Sequence, residues 1–307
     1  MSQKVYDVIA IGHALVDIRF VVTRFAGADE EASIISQTRG TGGSAANVAI
    51  GVSRLGGRSA VMVKIGLDSF GRMIIDELMK ERVDVSGVKV SLNETGFSVV
   101  IIDKEGKISM YGFKGAAEEL SPADIDVNLL GATKFVHIAS LRLDTSIRAA
   151  EEAKKNGAVV SWDPGRRLSE KGLDYFKELI GKVDIVLVNR KEAKNLTGME
   201  DYREAARMIK SLGPRLVVIK RGHEGVYALS DEGEFDIPAY RVEKPVDTTG
   251  AGDAFASGLL MGLSRGYDLR KALVYGNAVA ALKVQRLGSH NVPSHEEVVK
   301  FIWEHSL

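Results

Sequence analysis

The 307-residue sequence contains no cysteine. This removes disulfides, thiolate metal sites and cysteine nucleophiles together. An excess of one charge is also missing: 41 Lys+Arg residues balance 41 Asp+Glu, for a formal net charge of zero. Nucleic-acid binding draws on clustered Lys and Arg, and anionic membranes on a similar excess, so neither partner is expected. No apolar run approaches the roughly 18 residues of a membrane span. The segment from Met1 to Asp7 has no basic n-region, long apolar h-region or cleavage site. A cytoplasmic protein is therefore expected. Several catalytic signatures are absent too: G-x-x-x-x-G-K-[ST], H-R-D, H-E-x-x-H and G-x-S-x-G.

What is present suits a folded chain. Hydrophobic residues are 45% and charged residues 27% of the sequence, too apolar for a disordered protein. Glycine stands at 32 residues against a usual share of about 7%. Tight turns or backbone close to a ligand would use that excess.

Apolar strand-like runs alternate with helix-period segments. Residues 8–12, 60–65, 135–138, 158–162, 185–188 and 216–220 read as buried strands. Residues 45–55, 70–82, 145–156, 255–263 and 272–284 read as helices, with Met73, Ile74, Leu78 and Met79 on the inner face of the second. Ser294-His295-Glu296-Glu297 is a capping box that starts a terminal helix. The order predicts an α/β fold: a doubly wound, mostly parallel sheet with helices on both faces. Residues 14–40 and 95–114 break the rhythm with strands and no helices. They are expected to form a small antiparallel β-sheet lid on a main domain of residues 1–13, 41–94 and 115–307.

Two glycine-rich turns open helices. In Asp247-Thr248-Thr249-Gly250-Ala251-Gly252-Asp253, backbone amides and the helix dipole favour an anion. A carboxylate at Asp253 is odd beside a pure phosphate site but sensible as a general base toward an attacking hydroxyl. The plainer alternative is an Asp cap with glycines for the turn. Gly40-Thr41-Gly42-Gly43-Ser44-Ala45-Ala46-Asn47 also fits the dinucleotide fingerprint at Gly40, Gly42 and Ala45. An NAD(P)-binding oxidoreductase or a non-catalytic nucleotide binder is thus a distant alternative. The strand before this turn alternates polar and apolar residues, unlike the buried parallel strand a dinucleotide fold places there.

Taken together these residues resemble the ribokinase-like (pfkB) family of sugar and nucleoside kinases, over nearly the whole chain. Gly42 to Asn47 with Leu55-Gly56-Gly57 is similar to the family's N-terminal signature. Gly66-Leu67-Asp68-Ser69-Phe70-Gly71 is similar to its continuation, Asn189-Arg190-Lys191-Glu192 to its N-x-x-E motif, and Asp247 to Asp253 to its C-terminal signature.

The resemblance implies roles by position. Asp253 matches the catalytic base, and Gly250, Ala251 and Gly252 the anion hole. Asp17, Gly42, Gly43 and Asn47 match the acceptor site. Asn189 and Glu192 match residues that organise Mg²⁺ and phosphate through water, as suits an ion that keeps several waters. Lys220, Gly222, Gly225, Asn277 and Gly288 match the nucleotide site. Asp247 and Thr249, with backbone near Lys283, Arg286 and Gly288, match a monovalent-cation (K⁺) site of many members. The implied reaction is in-line transfer of a terminal phosphoryl group from ATP, or ADP, to a sugar hydroxyl. A homodimer through the lid is also implied.

The acceptor is the least determined part. No acid follows strand 135–138, where ribokinase itself has a glutamate. Arg142, Arg166 and Arg167 lie near strand ends instead. Arg166 in the pocket would favour a sugar phosphate or sugar acid; on the surface the arginines would be solvated. A nucleoside kinase or ribose-1-phosphate kinase of the same family is the alternative to a sugar kinase.

Overall fold

The computed structural model describes residues 4–305, so Met1, Ser2 and Gln3 of the N-terminal segment lie outside the described residues. In chain order the strands are β1 (Tyr6–Gly12), β2 (Leu15–Val22), β3 (Ile34–Gly42), β4 (Ser59–Met62), β5 (Lys64–Gly66), β6 (Lys89–Ser91), β7 (Thr95–Ile102), β8 (Ile108–Gly115), β9 (Thr133–Ala139), β10 (Val159–Asp163), β11 (Ile185–Asn189), β12 (Leu216–Lys220), β13 (Val226–Ser230) and β14 (Gly233–Ile237).

Eight of them form one sheet in the order β14-β13-β12-β11-β10-β9-β1-β4. From β4 to β12 every neighbour is parallel, and β13 and β14 add an antiparallel edge. The alternation of β1 explains why helices cover both faces. Val8 and Ala10 enter a core with helices Ser44–Arg54, Ala251–Ser264 and Leu269–Lys283. Ile9 and Ile11 enter the other, with helices Leu143–Lys155, Leu173–Ile180 and Tyr202–Lys210. All four are fully buried, and truncating such an isoleucine to alanine costs about 2–5 kcal/mol.

The second sheet has the order β3-β2-β7-β8. Its outer pairs are antiparallel, as expected for this region, while the central pair β2–β7 is parallel. β1 runs into β2 with only His13 and Ala14 between them, so the two sheets share a short, buried junction.

Two sequence expectations are corrected. The apolar run 60–65 is not one strand. It breaks at Val63, β4 stays in the large sheet, and β5 pairs in parallel with β6. Met79 is not on the inner face: helix Ser69–Lys80 ends one residue later, and the side chain is 59% exposed.

Candidate active site

The parallel strands deliver Gly12, Ala139, Asp163, Asn189 and Lys220 to one edge of the large sheet. That carboxyl edge is where open α/β sheets bind ligands, at the point where the strand order reverses. Here β1 is followed by β4 on one side and β9 on the other.

Helix Ala251–Ser264 points its N-terminus at this edge. Its cap, Gly250, has φ 74°, and a Cβ there would collide with the Ser289 carbonyl. Only glycine fits. No side chain caps the helix; the Ala251 amide donates to the Thr248 carbonyl at 3.2 Å, and the amides that follow it are available to an anion. Asp253 sits in the first turn. Its Oδ2 accepts a hydrogen bond from Asn47 Nδ2 at 2.7 Å, and Ser44 donates a second. Burial pushes the Asp253 carboxyl up to about 6, with Asp163 adding and Asn47, Lys220 and Ser44 opposing. A carboxylate near that value suits a general base at neutral pH.

Lys220, at the end of β12, lies beside it. Its Nζ contacts Asp163 Oδ2 at 2.5 Å and would lie 3.3 Å from a Cβ on Gly252. Burial works against this ammonium, yet Asp163, Glu192 and Asp253 together raise its pKa. Asp163 also accepts from the Gly165 amide at 3.0 Å. The residue across from it, Ser140, is held at φ 51° and donates its amide to the Asp163 carbonyl at 2.9 Å. Such left-handed non-glycine backbone is characteristic of functional sites.

Asn189 and Glu192 form a capping box at helix Arg190–Thr197: Glu192 N donates to Asn189 Oδ1 at 2.9 Å, and Asn189 N donates to Glu192 Oε2 at 2.8 Å. Burial and then the Asp163 charge raise the Glu192 carboxyl, against Lys220 and Arg166. Three acids, Asp163, Glu192 and Asp253, thus share one ammonium. Among the described residues no three acidic or imidazole groups are close enough to chelate a metal.

At the second sheet, Ser98 Oγ donates to Asp17 Oδ1 at 2.5 Å. A Cβ on Gly42 would overlap the Asp17 carboxylate, and Gly43 takes φ 90° against the His13 carbonyl. These glycines let Asp17 reach the start of helix Ser44–Arg54. Because β3 is an antiparallel strand of the small sheet, the turn at Gly40, Gly42 and Ala45 is not the strand–turn–helix of a dinucleotide site. Burial pushes His13 down to about 3, with Lys114 and Arg167 adding. Lys114 is itself lowered by burial and by Arg167, with Glu118 and Asp17 opposing. Its ammonium makes no hydrogen bond or ion pair among the described residues.

The arginines separate. Arg166 is exposed and its charge acts on Glu192. Arg167 pairs with Glu118 near His13 and Lys114. Arg142 is held by Asp144 through two 2.7 Å bonds. Gly222 (φ 63°) and Gly225 (φ 94°) shape the turn after β12. Asn277 Nδ2 donates to the Pro238 carbonyl at 3.1 Å. Gly288 N donates to Asp247 Oδ2 at 3.0 Å, and Thr249 N to Asp247 Oδ1 at 2.9 Å. Sequence reasoning left Ser44, Lys114, Asp163 and Arg19 out of the site. An acid directly after a buried strand was the available signal for Asp163.

Residues 6–296 match the family model described as pfkB family carbohydrate kinase. The chain is 34% identical to a protein of Halopiger xanaduensis named ATP-dependent ribose-1-phosphate kinase, over 97% of this chain and 98% of that one. Among solved structures it superposes on Arabidopsis thaliana ribokinase complexed with ribose and ATP, with a TM-score of 0.88, 26% identity and coverage of 97% and 98%. It also matches a putative ribokinase II from E. coli in complex with ATP and Mg²⁺, with a TM-score of 0.85, 27% identity and coverage of 99% and 100%.

Proposed function

Since the chain belongs to the pfkB family of carbohydrate kinases, we propose that it moves the γ-phosphoryl group of ATP to a hydroxyl of a sugar derivative, with Asp253 as the base. The observation that carries this reading is Asp253 itself. It stands in the first turn of an uncapped helix, is held by Asn47 at 2.7 Å, and has its carboxyl pushed by burial up to about 6.

The acceptor oxygen gives its proton to Asp253 and bonds to the γ-phosphorus, and the bond from phosphorus to the β-phosphate oxygen breaks to release ADP. The amides at Gly250 and Gly252 would face the charge on the transferred group, as phosphoryl transfer requires; the Ala251 amide, which donates to the Thr248 carbonyl at 3.2 Å, would join them by turning from it. Lys220 holds Asp163 and adds positive charge at the same mouth. The small sheet serves as a lid that excludes water, a competing acceptor. Asn47 Oδ1 is buried with no hydrogen-bond partner among the described residues, and a substrate hydroxyl would satisfy it.

The donor set fits a divalent cation held through water: three acids against one ammonium leave excess negative charge, and no direct chelating cluster exists among the described residues. Glu192 and Asn189 would hold Mg²⁺, whose charge would neutralise the phosphate oxygens.

Lys114, without a direct partner, and Arg167 act on the same neighbourhood as Asp17. They favour an acceptor that carries phosphate or carboxylate. The name of the Halopiger relative is consistent with that class. Exposed Ile34 and Ile35 on β3, with Ile108, Met110, Tyr111 and Phe113 on β8, support a homodimer through the lid.

The test is a transfer screen with ATP or ADP and Mg²⁺ against ribose 1-phosphate, 2-dehydro-3-deoxygluconate, fructose, ribose and nucleosides. A phosphorylated or acidic sugar turned over well above the neutral ones supports the reading. A neutral sugar or nucleoside as best acceptor overturns the anionic assignment, and no turnover with any acceptor overturns the kinase reading.

A further inference from the structure

The reaction as derived leaves one buried charge unused. Lys283 is the last residue of helix Leu269–Lys283 and is 0% exposed. Among the described residues its ammonium makes no ion pair, although the Asp247 charge acts on it. It donates to two backbone carbonyls, those of Asp247 at 2.7 Å and of Thr249. Burying an ammonium is costly unless its hydrogens are bonded, so the fold has given this charge a defined task.

Both carbonyls belong to the loop that ends in the anion hole. The loop is docked on the same helix end, with Val246 N and Asp247 N donating to the Val284 carbonyl at 2.8 and 3.1 Å. The next residue after Thr249 is Gly250, whose φ of 74° sets the direction of the helix N-terminus. Fixing the Thr249 carbonyl fixes the peptide plane that leads into Gly250. The Asp247 carboxylate lies in the same loop and is taken by the Thr249 and Gly288 amides and by Arg19.

A pair of backbone carbonyls beside a carboxylate is what an alkali cation coordinates. The monovalent-cation site expected at Asp247 and Thr249 is built from these groups, and it does not fit an added ion: both carbonyls already accept from the Lys283 ammonium.

We propose that Lys283 is the enzyme's internal monovalent cation, a positioning residue that does through a covalently attached ammonium what a bound K⁺ would otherwise do for the anion-hole loop. It touches no reacting atom. Its catalytic effect rests on the kinase reading above; its occupation of the carbonyl site does not.

The test compares wild type, Lys283→Met and Lys283→Ala in K⁺, Na⁺ and tetramethylammonium salts at matched ionic strength, by turnover and by thermal melting. Wild-type kcat and Tm are expected to be the same in all three. In Lys283→Met, kcat should fall about 10- to 100-fold with the nucleotide KM little changed, as for a lost positioning group. Lys283→Ala should regain part of its kcat, and gain Tm, with K⁺ or methylammonium but not with tetramethylammonium. A wild-type enzyme activated severalfold or stabilised specifically by K⁺ would overturn the proposal, as would a folded Lys283→Ala with wild-type kcat. If Lys283→Ala does not fold, the wild-type salt series decides alone. The melting series reads the carbonyl site without turnover, so a failed kinase reading leaves it interpretable.

Discussion

The guanidinium of Arg19, on β2 of the small sheet, meets the Asp247 carboxylate at 2.8 Å, and each side chain is only 12% exposed. A strand of the small sheet is thereby tied to the loop that leads into helix Ala251–Ser264. Asp247 also holds the Thr249 and Gly288 amides, so one carboxylate joins the small sheet to both of these loop positions.

Arg19→Met should therefore lower stability and kcat together. A hydrogen bond to a charged group contributes about 1.5–3 kcal/mol, and the Asp247 carboxylate would be left in a partly buried place. Denaturant unfolding should show a loss of about 2 kcal/mol. Arg19→Lys should restore part of it. A neutral Arg19→Met would mean that the pair is not formed in solution.

Gly250 and Gly252 should respond differently to alanine. At Gly250 the backbone is left-handed and a Cβ would strike the Ser289 carbonyl, so Gly250→Ala should lose about 100-fold or more in kcat and melt lower. At Gly252 the Cβ would only approach Lys220 Nζ, at 3.3 Å, the far end of a flexible side chain. Gly252→Ala should keep its stability and lose about tenfold in kcat. Melting curves beside steady-state kinetics separate the two cases.

The pH profile should carry the signature of the base. With its carboxyl pushed up to about 6, Asp253 must lose its proton to act, so kcat/KM should rise with pH through about 6 and level off above it. Asn47 stabilises the charged form. Asn47→Ala should move the acidic limb to higher pH by about one unit, the equivalent of a charged hydrogen bond of about 1.5 kcal/mol. An unmoved limb would separate Asn47 from the ionisation.

The same shift has a stability sign. A carboxyl whose folded pKa is raised binds its proton more tightly in the native state. Stability is therefore lost as pH rises from about 4, the unfolded value, through about 6. At neutral pH the charged Asp253 is a net cost, on the order of 3 kcal/mol. Asp253→Asn should raise the Tm at pH 7 and should raise it less at pH 4.

Sequence patterning was enough for the alternating strands and helices, because a short continuous apolar run and an amphipathic helix differ in pattern. It was not enough at residues 60–65, where a continuous apolar run hides the break at Val63 between two sheets. Met79 misled because an apolar residue in the last helical turn satisfies the period and still faces solvent. In the site, the two glycine turns were readable because glycine in these places answers a steric demand. The contacts across the chain were not readable. Asn47 and Asp253 are 206 positions apart. A lysine at a helix C-terminus reads as a dipole partner, which conceals that Lys283 turns inward onto the Asp247 and Thr249 carbonyls.

The decisive measurement compares turnover and nucleotide binding in wild type and Asp253→Asn with the best acceptor. Loss of kcat by about 1,000-fold or more, with the ATP Kd within about threefold of wild type, is the predicted result. A folded Asp253→Asn enzyme that keeps a tenth or more of wild-type kcat would contradict it and remove Asp253 as the base.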